Sequence, residues 1–263
     1  MLDKIIEHTR KRVIESQSLY PEKLLERSAW FKATPVSLRK YLLRPDLNGI
    51  IAEFKRRSPS KGLLNAWAPV EQTTLGYMQA GASALSVLTE PEFFQGANAD
   101  LTAARSVNYC PILRKDFVID SYQITEARSI GADAILLIAA ILSKNEILEF
   151  TKQAHDYSLE VLLEIASEED LEKWNPMIDI LGVNNRSLNN FEENTNRSLE
   201  LFSKLPKESL KISESGIRNP QTVIELKKQG FQGFLIGEAF MRSSRPDEAC
   251  SAFINELDKL KRL

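Results

Sequence analysis

Several short apolar runs in this sequence end in a charged residue. Glu53 and Lys55 close one run, Lys115 closes a second and Glu164 closes a third. A charge buried without a partner is costly, so a strand tolerates one only where it reaches water or a functional site. An ammonium group there can be a general acid, an imine-forming nucleophile or an anchor for an anion, and a carboxylate can be a general base.

Each of these charged residues also has a structural interpretation. Glu53 and Lys55 are two residues apart and share one face of a strand, where they could neutralise each other as an ion pair. Lys115 could pair with Asp116 at the surface, and Glu164 could be a buried acid paired with a lysine. For a catalytic Lys115, we expect nearby positive groups and partial burial to lower its pKa.

Two glycine-containing segments near the C-terminus are typical of phosphate binding. Ser215 and Gly216 follow one apolar run, and Gly237 follows the next. Glycine lets an oxygen atom approach backbone N–H groups, and a helix N-terminus adds partial positive charge. In the segment 184–186 either asparagine could orient a substrate, and Arg186 could bind an anion in bidentate fashion. The pattern predicts a phosphorylated small-molecule substrate.

The composition excludes several classes of function. Lys and Arg number 34 and Asp and Glu 36 in 263 residues, and this net charge of −2 argues against a nucleic-acid partner. Two histidines and two separate cysteines are too few for a His-rich metal site or a disulfide framework. The longest apolar run is nine residues and the N-terminus lacks a signal-peptide pattern. We therefore expect a cytoplasmic, metal-free enzyme with no membrane partner.

Eight apolar runs, each followed by an amphipathic segment, predict strands buried on both faces by helices. Gly81, Gly131 and Gly230 end three similar helices and lie 50 and 99 residues apart, which fits two strand–helix units per 50 residues. An open doubly wound sheet is the alternative, but it usually has a glycine-rich first turn that this sequence lacks. We predict an α/β fold, a (β/α)8 TIM barrel, with strands at Ile50–Phe54, Ala84–Leu88, Pro111–Arg114, Ala134–Ile138, Leu159–Glu164, Ile180–Val183, Lys211–Glu214 and Gly233–Ile236.

Residues 1–48 are expected to form an N-terminal helical extension packed on a barrel of residues 49–263, within one structural domain. Apolar residues recur at helical spacing between Ile5 and Val13. The extension could close the bottom of the barrel or fold over the top as a wall of the site, and the sequence favours neither. Glu160 begins its strand, so we expect it to be a structural residue of the bottom face.

Eight segments lie in order between Ile50 and Met241 and cover all eight predicted strands. They are I-I-A-E-F-K-R-R-S-P-S-K-G, T-E-P-E-F-F-Q-G, I-L-R-K-D-F, G-A-D-A-I-L-L-I, V-L-L-E-I, G-V-N-N-R-S-L, S-E-S-G-I and F-L-I-G-E-A-F-M. The most specific patterns among them are E-x-K-x-x-S-P-S and L-R-K-D-F. With these segments the sequence closely resembles the indole-3-glycerol-phosphate synthase family of tryptophan biosynthesis.

The resemblance implies a carboxy-lyase that converts 1-(2-carboxyphenylamino)-1-deoxyribulose 5-phosphate to indole-3-glycerol phosphate, CO2 and water, without a metal or cofactor. It implies that Lys115 is the general acid at the C2′ carbonyl, that Glu164 is the base and that Lys55 holds the substrate carboxylate. Glu53 would position Lys55, and we place Asn184 with these catalytic residues. Transient contact with other enzymes of the pathway is a further expectation.

Other positions match substrate contacts of the family. They are Ser58 and Arg186, the phosphate-binding Ser215, Gly216 and Gly237, and the apolar walls Phe94, Phe117, Leu136, Ile138 and Leu188. Ordinary barrel core is an equal alternative for Leu136 and Ile138. Glu238 stands where some members have serine, so we assign phosphate contact there to the backbone.

Three other functions are compatible with the same residues. Lys115 could form an imine in an aldolase, or a barrel without activity could bind a sugar phosphate. An isomerase acting on phosphoribosylanthranilate is a nearer alternative. We expect that enzyme to carry a Cys/Asp pair at its strand ends, and Cys110 precedes its strand and is poorly placed for this role.

Overall fold

A computed structural model describes residues 1–186, 194 and 196–261 of the chain. Its centre is a closed barrel of eight parallel strands. The strands are β1 (Ile50–Phe54), β2 (Ala84–Leu88), β3 (Ile112–Lys115), β4 (Ala134–Ile138), β5 (Glu160–Ile165), β6 (Ile180–Asn184), β7 (Leu210–Glu214) and β8 (Gly233–Ile236). Each strand pairs with the next along the chain, and β8 pairs with β1, where Leu235 lies opposite Ile51. The predicted (β/α)8 barrel is confirmed.

The helices before β1 are α1 (Leu2–Leu19), α2 (Glu22–Leu25) and α3 (Leu38–Leu42), with a 3₁₀ turn at Trp30–Lys32. A short hairpin pairs Arg57–Ser58 with Gly62–Leu63 after β1. The helices that follow are α4 (Val70–Gln79), α5 (Pro91–Phe94), α6 (Asn98–Val107), α7 (Tyr122–Ser129), α8 (Lys144–Asp156), α9 (Glu168–Leu171), α10 (Arg197–Phe202), α11 (Pro220–Gln229), α12 (Glu238–Met241) and α13 (Pro246–Lys261). No helix in the described ranges is long and apolar enough to cross a membrane.

The strand boundaries differ from the prediction by one residue at several ends. Lys115 belongs to β3 because it lies opposite Leu88 of β2. Asn184 belongs to β6 because it lies opposite Glu214 of β7. Apolar content identifies the middle of a buried strand, whereas pairing with the neighbouring strands decides where it ends.

Alternate residues of each strand point into the barrel. Ile51 and Leu113 belong to the inner apolar cluster, whereas Ile50 and Ile112 belong to the cluster between the sheet and the helices. Because side chains alternate along a strand, the inner row that contains Leu113 continues to Lys115. The charged residues at the strand ends therefore extend the barrel interior towards its upper mouth.

The first helix of the N-terminal extension lies beside that mouth. Arg12 of α1 donates hydrogen bonds to Asp116 Oδ1 (2.8 Å) and to the carbonyl oxygen of Thr89 (3.3 Å). Asp116 follows β3 and Thr89 follows β2. Ile5 of the same helix is buried in the inner apolar cluster. The helix α1 thus supports the upper end of the barrel.

The third helix lies under the barrel. Leu38 and Leu42 of α3 belong to the inner apolar cluster. Glu160, at the start of β5, accepts hydrogen bonds from the Ser37 hydroxyl (2.5 Å) and the Arg39 N–H (2.7 Å). These bonds satisfy donors at the N-terminus of the helix and confirm Glu160 as a structural residue of the bottom face. The extension therefore reaches both ends of the barrel, a choice that the sequence left open.

Candidate active site

A cavity opens at the carboxyl ends of the barrel strands, where β/α loops usually carry function. Residues from all eight strand ends contribute to its wall. Among the residues predicted from the sequence, those that line it are Glu53, Lys55, Phe94, Lys115, Phe117, Leu136, Ile138, Glu164, Asn184, Arg186, Ser215, Gly216 and Gly237.

Lys115 lies between two carboxylates from the other side of the barrel. Its Nζ atom is 2.9 Å from Glu164 Oε2 and 2.5 Å from Glu214 Oε2. The side chain of Lys115 is 14% exposed, and those of Glu164 and Glu214 are 4% and 1% exposed. The three groups come from β3, β5 and β7, so closure of the barrel brings them together.

The expected lowering of the Lys115 pKa is wrong. Burial does lower the pKa of this lysine, but the negative charges of Glu164, Glu214 and Glu53 outweigh burial and raise it. The groups closest to Lys115 are anionic, whereas the prediction assumed cationic neighbours. The alternative surface pair with Asp116 is also wrong, because Lys115 points into the cavity and Asp116 bonds to Arg12 and Arg114.

Glu53 and Lys55 form a second charged pair in the cavity wall. Lys55 Nζ is 2.5 Å from Glu53 Oε1, and the hydroxyl of Ser86 lies 3.4 Å from Glu53 Oε2. Burial raises the pKa of Glu53, but Lys55 and Lys115 oppose it, and the pKa lies below its ordinary value. Glu53 is therefore an anion. The ion pair predicted between Glu53 and Lys55 is present, and this pair forms part of the cavity wall.

Glu214 is a residue of this cluster that the sequence analysis did not select. Burial raises its pKa, Lys115 opposes that effect, and the negative charges of Glu164 and Glu53 add to it, leaving a pKa of about 7. A signal for Glu214 was present, because it is a charged residue at the end of an apolar strand, as Glu164 is. The glycine and serine that follow Glu214 are the stronger local pattern, because they are typical of a phosphate-binding turn.

Asn184 and Asn185 have separate roles. Asn184 Nδ2 donates to Glu164 Oε1 (2.9 Å), so this side chain joins the charged cluster. Asn185 is 1% exposed, and its Nδ2 donates to the Ser213 hydroxyl (3.1 Å) and the Ser215 carbonyl (3.0 Å). Asn185 thereby fixes the turn after β7 instead of facing the cavity.

That turn has an unusual backbone. Ser215 and Gly216 both have positive φ angles, 68° and 75°. The left-handed conformation costs roughly 1–2 kcal/mol for a residue with a Cβ atom, and such strain is typical of functional sites. Gly237, before α12, completes the region predicted to bind phosphate and also lines the cavity.

Glu238 faces arginines beside this region. Its Oε2 is 3.4 Å from Arg186 Nη2, and its Oε1 is 2.8 Å from Arg242 Nη2. Arg186 also donates to the Ser60 hydroxyl (2.8 Å). The arginines neutralise the Glu238 carboxylate, which explains how an acidic residue can lie next to the region predicted to bind phosphate.

The opposite part of the wall is apolar. The rings of Phe94 and Phe117 are 6.1 Å apart and tilted by 43°. Leu136 and Ile138 are 2% and 3% exposed and belong to the inner apolar cluster. All four residues line the cavity, so it has one apolar wall and one charged wall.

The two remaining predicted substrate contacts are Ser58 and Leu188. Ser58 does not line the cavity; it is 1% exposed, and its hydroxyl accepts the N–H of Lys61 (3.2 Å) in the loop after β1. Leu188 lies outside the described residues. Within the described part of the chain, no three His, Cys, Asp or Glu side chains group as a metal site.

Comparison with known proteins identifies relatives along nearly the whole chain. A profile of the family described as indole-3-glycerol phosphate synthase matches residues 2–253. Proteins of that name are 44% identical in Bacteroides thetaiotaomicron, over 98% of each chain, and 40% identical in Salinibacter ruber, over 99% of this chain and 97% of the relative. A chain from the tryptophan synthase α2β2 complex of Pyrococcus furiosus shares the fold, with a TM-score of 0.59 at 17% identity over 81% of this chain and 99% of that one.

Proposed function

Since the chain belongs to the indole-3-glycerol phosphate synthase family, and is thus a carboxy-lyase of tryptophan biosynthesis, we propose that its cavity carries out ring closure with Lys115 as general acid. The observation that carries this assignment is the position of the Lys115 ammonium group, 2.9 Å from one buried carboxylate and 2.5 Å from another. The substrate is 1-(2-carboxyphenylamino)-1-deoxyribulose 5-phosphate.

The first step joins the ring carbon that bears the carboxylate to the C2′ carbonyl carbon. Lys115 donates a proton to the carbonyl oxygen as that bond forms, which stabilises the developing oxyanion. General acid catalysis of this kind typically contributes ~10²–10⁴-fold in rate. The raised pKa of Lys115 keeps the group protonated before the bond forms, as a general acid must be, but it also makes the ammonium group a weaker acid.

Loss of CO2 and of water completes the reaction. The bond to the carboxylate breaks and its electron pair returns to the ring, which becomes aromatic again. The hydroxyl on C2′ then leaves with a proton as water, and Glu164 accepts the proton that is lost as the new double bond forms. Lys55, held by Glu53 at 2.5 Å, is the cation for the substrate carboxylate and a source of the proton for the leaving hydroxyl.

The remaining wall residues hold the two ends of the substrate. The turn at Ser215 and Gly216, with Gly237, is assigned to the phosphate group through backbone N–H groups. Phe94, Phe117 and the two aliphatic residues of β4 are assigned to the aromatic ring. Arg186, which lines the cavity, completes the proposed substrate contacts.

The aldolase alternative is disfavoured by the same ion pairs. Imine formation requires a neutral amine as the nucleophile. The carboxylates next to Lys115 raise its pKa and keep it protonated. A Lys115 that trapped substrate under borohydride would contradict the general-acid assignment.

Turnover of the carboxyphenylamino-deoxyribulose phosphate, followed by indole fluorescence, tests this function. We expect product with the natural chain and a loss of kcat of about 10²–10⁴-fold with Lys115→Ala and with Glu164→Gln. Equilibrium binding of a non-reactive reduced substrate analogue should persist in both variants. Unchanged kcat in Lys115→Ala would refute the assignment, and absence of product with the natural chain would refute the activity.

We also propose that the chain works in the cytoplasm and contacts other enzymes of the pathway transiently. The buried free thiols of Cys110 and Cys250 are typical of proteins from a reducing compartment. Cell fractionation tests the location. Cross-linking in cells tests the contacts, and recovery of the chain without any enzyme of the pathway would contradict them.

A further inference from the structure

Gly182 lies in the middle of β6, with apolar residues on both sides in the sequence. Glycine weakens the interior of a strand, because it has no side chain to pack and loses more backbone freedom on folding than other residues. The backbone conformation does not require glycine at position 182, because the glycines with left-handed φ angles lie elsewhere in the described chain. A glycine in such a strand often marks the close approach of another group.

The group that approaches Gly182 is the carboxylate of Glu214. A Cβ atom on Gly182 would lie 2.1 Å from Glu214 Oε1 and 3.2 Å from its Cδ. Both distances are shorter than an ordinary van der Waals contact. Between these two distances, a methyl carbon of Leu162 would lie at 3.0 Å, at the end of a flexible side chain. The space that a side chain at 182 would need is therefore filled by the buried acid.

The two oxygen atoms of this carboxylate have different surroundings. Oε2 is 2.5 Å from Lys115 Nζ. Oε1 is buried against Gly182 and has no hydrogen-bond partner among the described residues. The charged groups that face Glu214 are Lys115 from β3, Glu164 from β5 and Glu53 from β1. Its orientation thus depends on the Lys115 bond on one side and on contact with β6 on the other.

Other crowded glycines give a standard of comparison. At Gly233 of β8, a Cβ atom would meet Ile212 Cγ2 at 2.4 Å, so this glycine accommodates apolar packing. At Gly237, a Cβ atom would meet Glu53 Oε1 at 2.6 Å. The glycines at 182 and 237 thus each leave room for an acid of the charged cluster, whereas Gly233 does not.

We propose that Gly182 is a positioning residue for the reaction: its missing side chain lets Glu214 lie against β6 with Oε2 directed at Lys115. This inference rests on the proposed role of Lys115. A side chain at 182 would push the carboxylate into the cavity or turn it away from Lys115. The general acid would then lose one of its two anionic partners and the position that they define.

The direct test is Gly182→Ala. We expect kcat to fall by about 10²-fold, as is typical when a catalytic group moves by an ångström, and KM to stay within about threefold. KM should stay because the atoms nearest to a Cβ at 182 belong to Glu214 and Leu162, and not to the phosphate-binding turn or the aromatic wall. Gly233→Ala is the matched control: it should lower the melting temperature and leave kcat within about threefold.

Glu214→Asp shows whether Gly182 acts through the acid. The shorter side chain should clear a Cβ atom at 182, so adding Gly182→Ala to Glu214→Asp should cost less than about threefold in kcat. The double variant should also fold if Gly182→Ala alone does not. The inference is refuted if Gly182→Ala keeps full kcat, if its cost is equal in both backgrounds, or if the double variant fails to fold. Turnover by the natural chain is measured first; its absence would refute the proposed function, whereas the outcomes above refute this inference alone.

Discussion

Two networks of buried charges lie on opposite sides of β3. The inner network faces the cavity and the outer one lies between the sheet, α1 and α7. Neighbouring residues in the sequence belong to different networks, because side chains alternate along a strand. The inner network comprises Glu53, Lys55, Lys115, Glu164 and Glu214, and the outer one comprises Arg12, Arg114, Asp116 and Glu126.

The outer network is balanced and well bonded. Asp116 accepts hydrogen bonds from Arg12 (2.8 Å), the Thr89 hydroxyl (2.6 Å), Arg114 (3.2 Å) and the N–H of Phe117 (2.8 Å). Burial raises the pKa of Asp116, but Arg12 and Arg114 outweigh it and bring the pKa to about 2. Two cations face two anions, and the carboxylate has little capacity left for a ligand.

The inner network is unbalanced. Three carboxylates face two ammonium groups, and Glu214 has an oxygen atom without a hydrogen-bond partner in the described ranges. Its pKa of about 7 lies close to neutrality. A well-bonded buried network holds the fold, whereas an incompletely bonded one retains groups that can exchange protons with a substrate. Similar residue types thus serve structure on one side of β3 and, in the function that we propose, chemistry on the other.

The largest expected contrast is between Arg114→Met and Lys115→Ala. Arg114→Met should lower the free energy of unfolding by about 3–5 kcal/mol, because it leaves buried carboxylates without their cation. Its folded fraction should keep kcat within about tenfold. Lys115→Ala should lower kcat strongly and change the free energy of unfolding little. Stability is kept because the acids that this variant leaves can take up protons from cavity water. Denaturant unfolding and turnover measure both, and equal effects on the two quantities would remove the distinction between the networks.

Arg12→Gln should give a smaller effect. The side chain is 19% exposed and donates to Asp116, and a hydrogen bond to a charged group is worth roughly 1.5–3 kcal/mol. We expect a loss of about 2 kcal/mol in unfolding free energy, measured by urea titration. Lys11→Gln, on the exposed side of the same helix, is the control and should cost less than about 0.5 kcal/mol. An equal loss from both variants would contradict the assigned role of Arg12.

The last expected contrast is in the pH dependence of stability, which follows from the two shifted pKa values. Asp116 has a lowered pKa, so its contribution to stability is present above 3.8 and is lost as the pH falls towards about 2. Glu214 has a raised pKa, so its contribution is greatest below 4.5 and declines as the pH rises towards about 7. Asp116→Asn should flatten the first range and Glu214→Gln the second, in unfolding measured at each pH. If both variants flatten the same pH range, the two carboxyl groups do not affect stability in separate ranges, and the expectation is wrong.

Much of the fold could be predicted because local signals agreed with one another. The apolar runs identified all eight strands, and Gly81, Gly131 and Gly230 have the left-handed φ angles expected after helices. The charged strand ends directed attention to Lys115 and Glu164. These signals are local: they depend on side-chain size, polarity and backbone freedom within a few residues.

The arrangement of those residues depended on closure of the barrel. Lys115 and Glu214 are 99 residues apart in the chain and 2.5 Å apart in space. The sequence showed the charge of each but not which charges would be neighbours, and the pKa of Lys115 was therefore predicted in the wrong direction. The contact of Arg12 with Asp116 likewise depends on where α1 lies.

The sequence by itself determined the residue types, the strand order and the end of the barrel at which the charged groups lie. Only the tertiary structure decided that Arg114 and Asp116 build a support behind Lys115, that Asn185 fixes a turn while Asn184 joins the site, and that Gly182 makes room for Glu214. The physical reason is that pairing, burial and the pKa of a charge depend on atoms brought close by the closed sheet, and those distances are not encoded within any single segment.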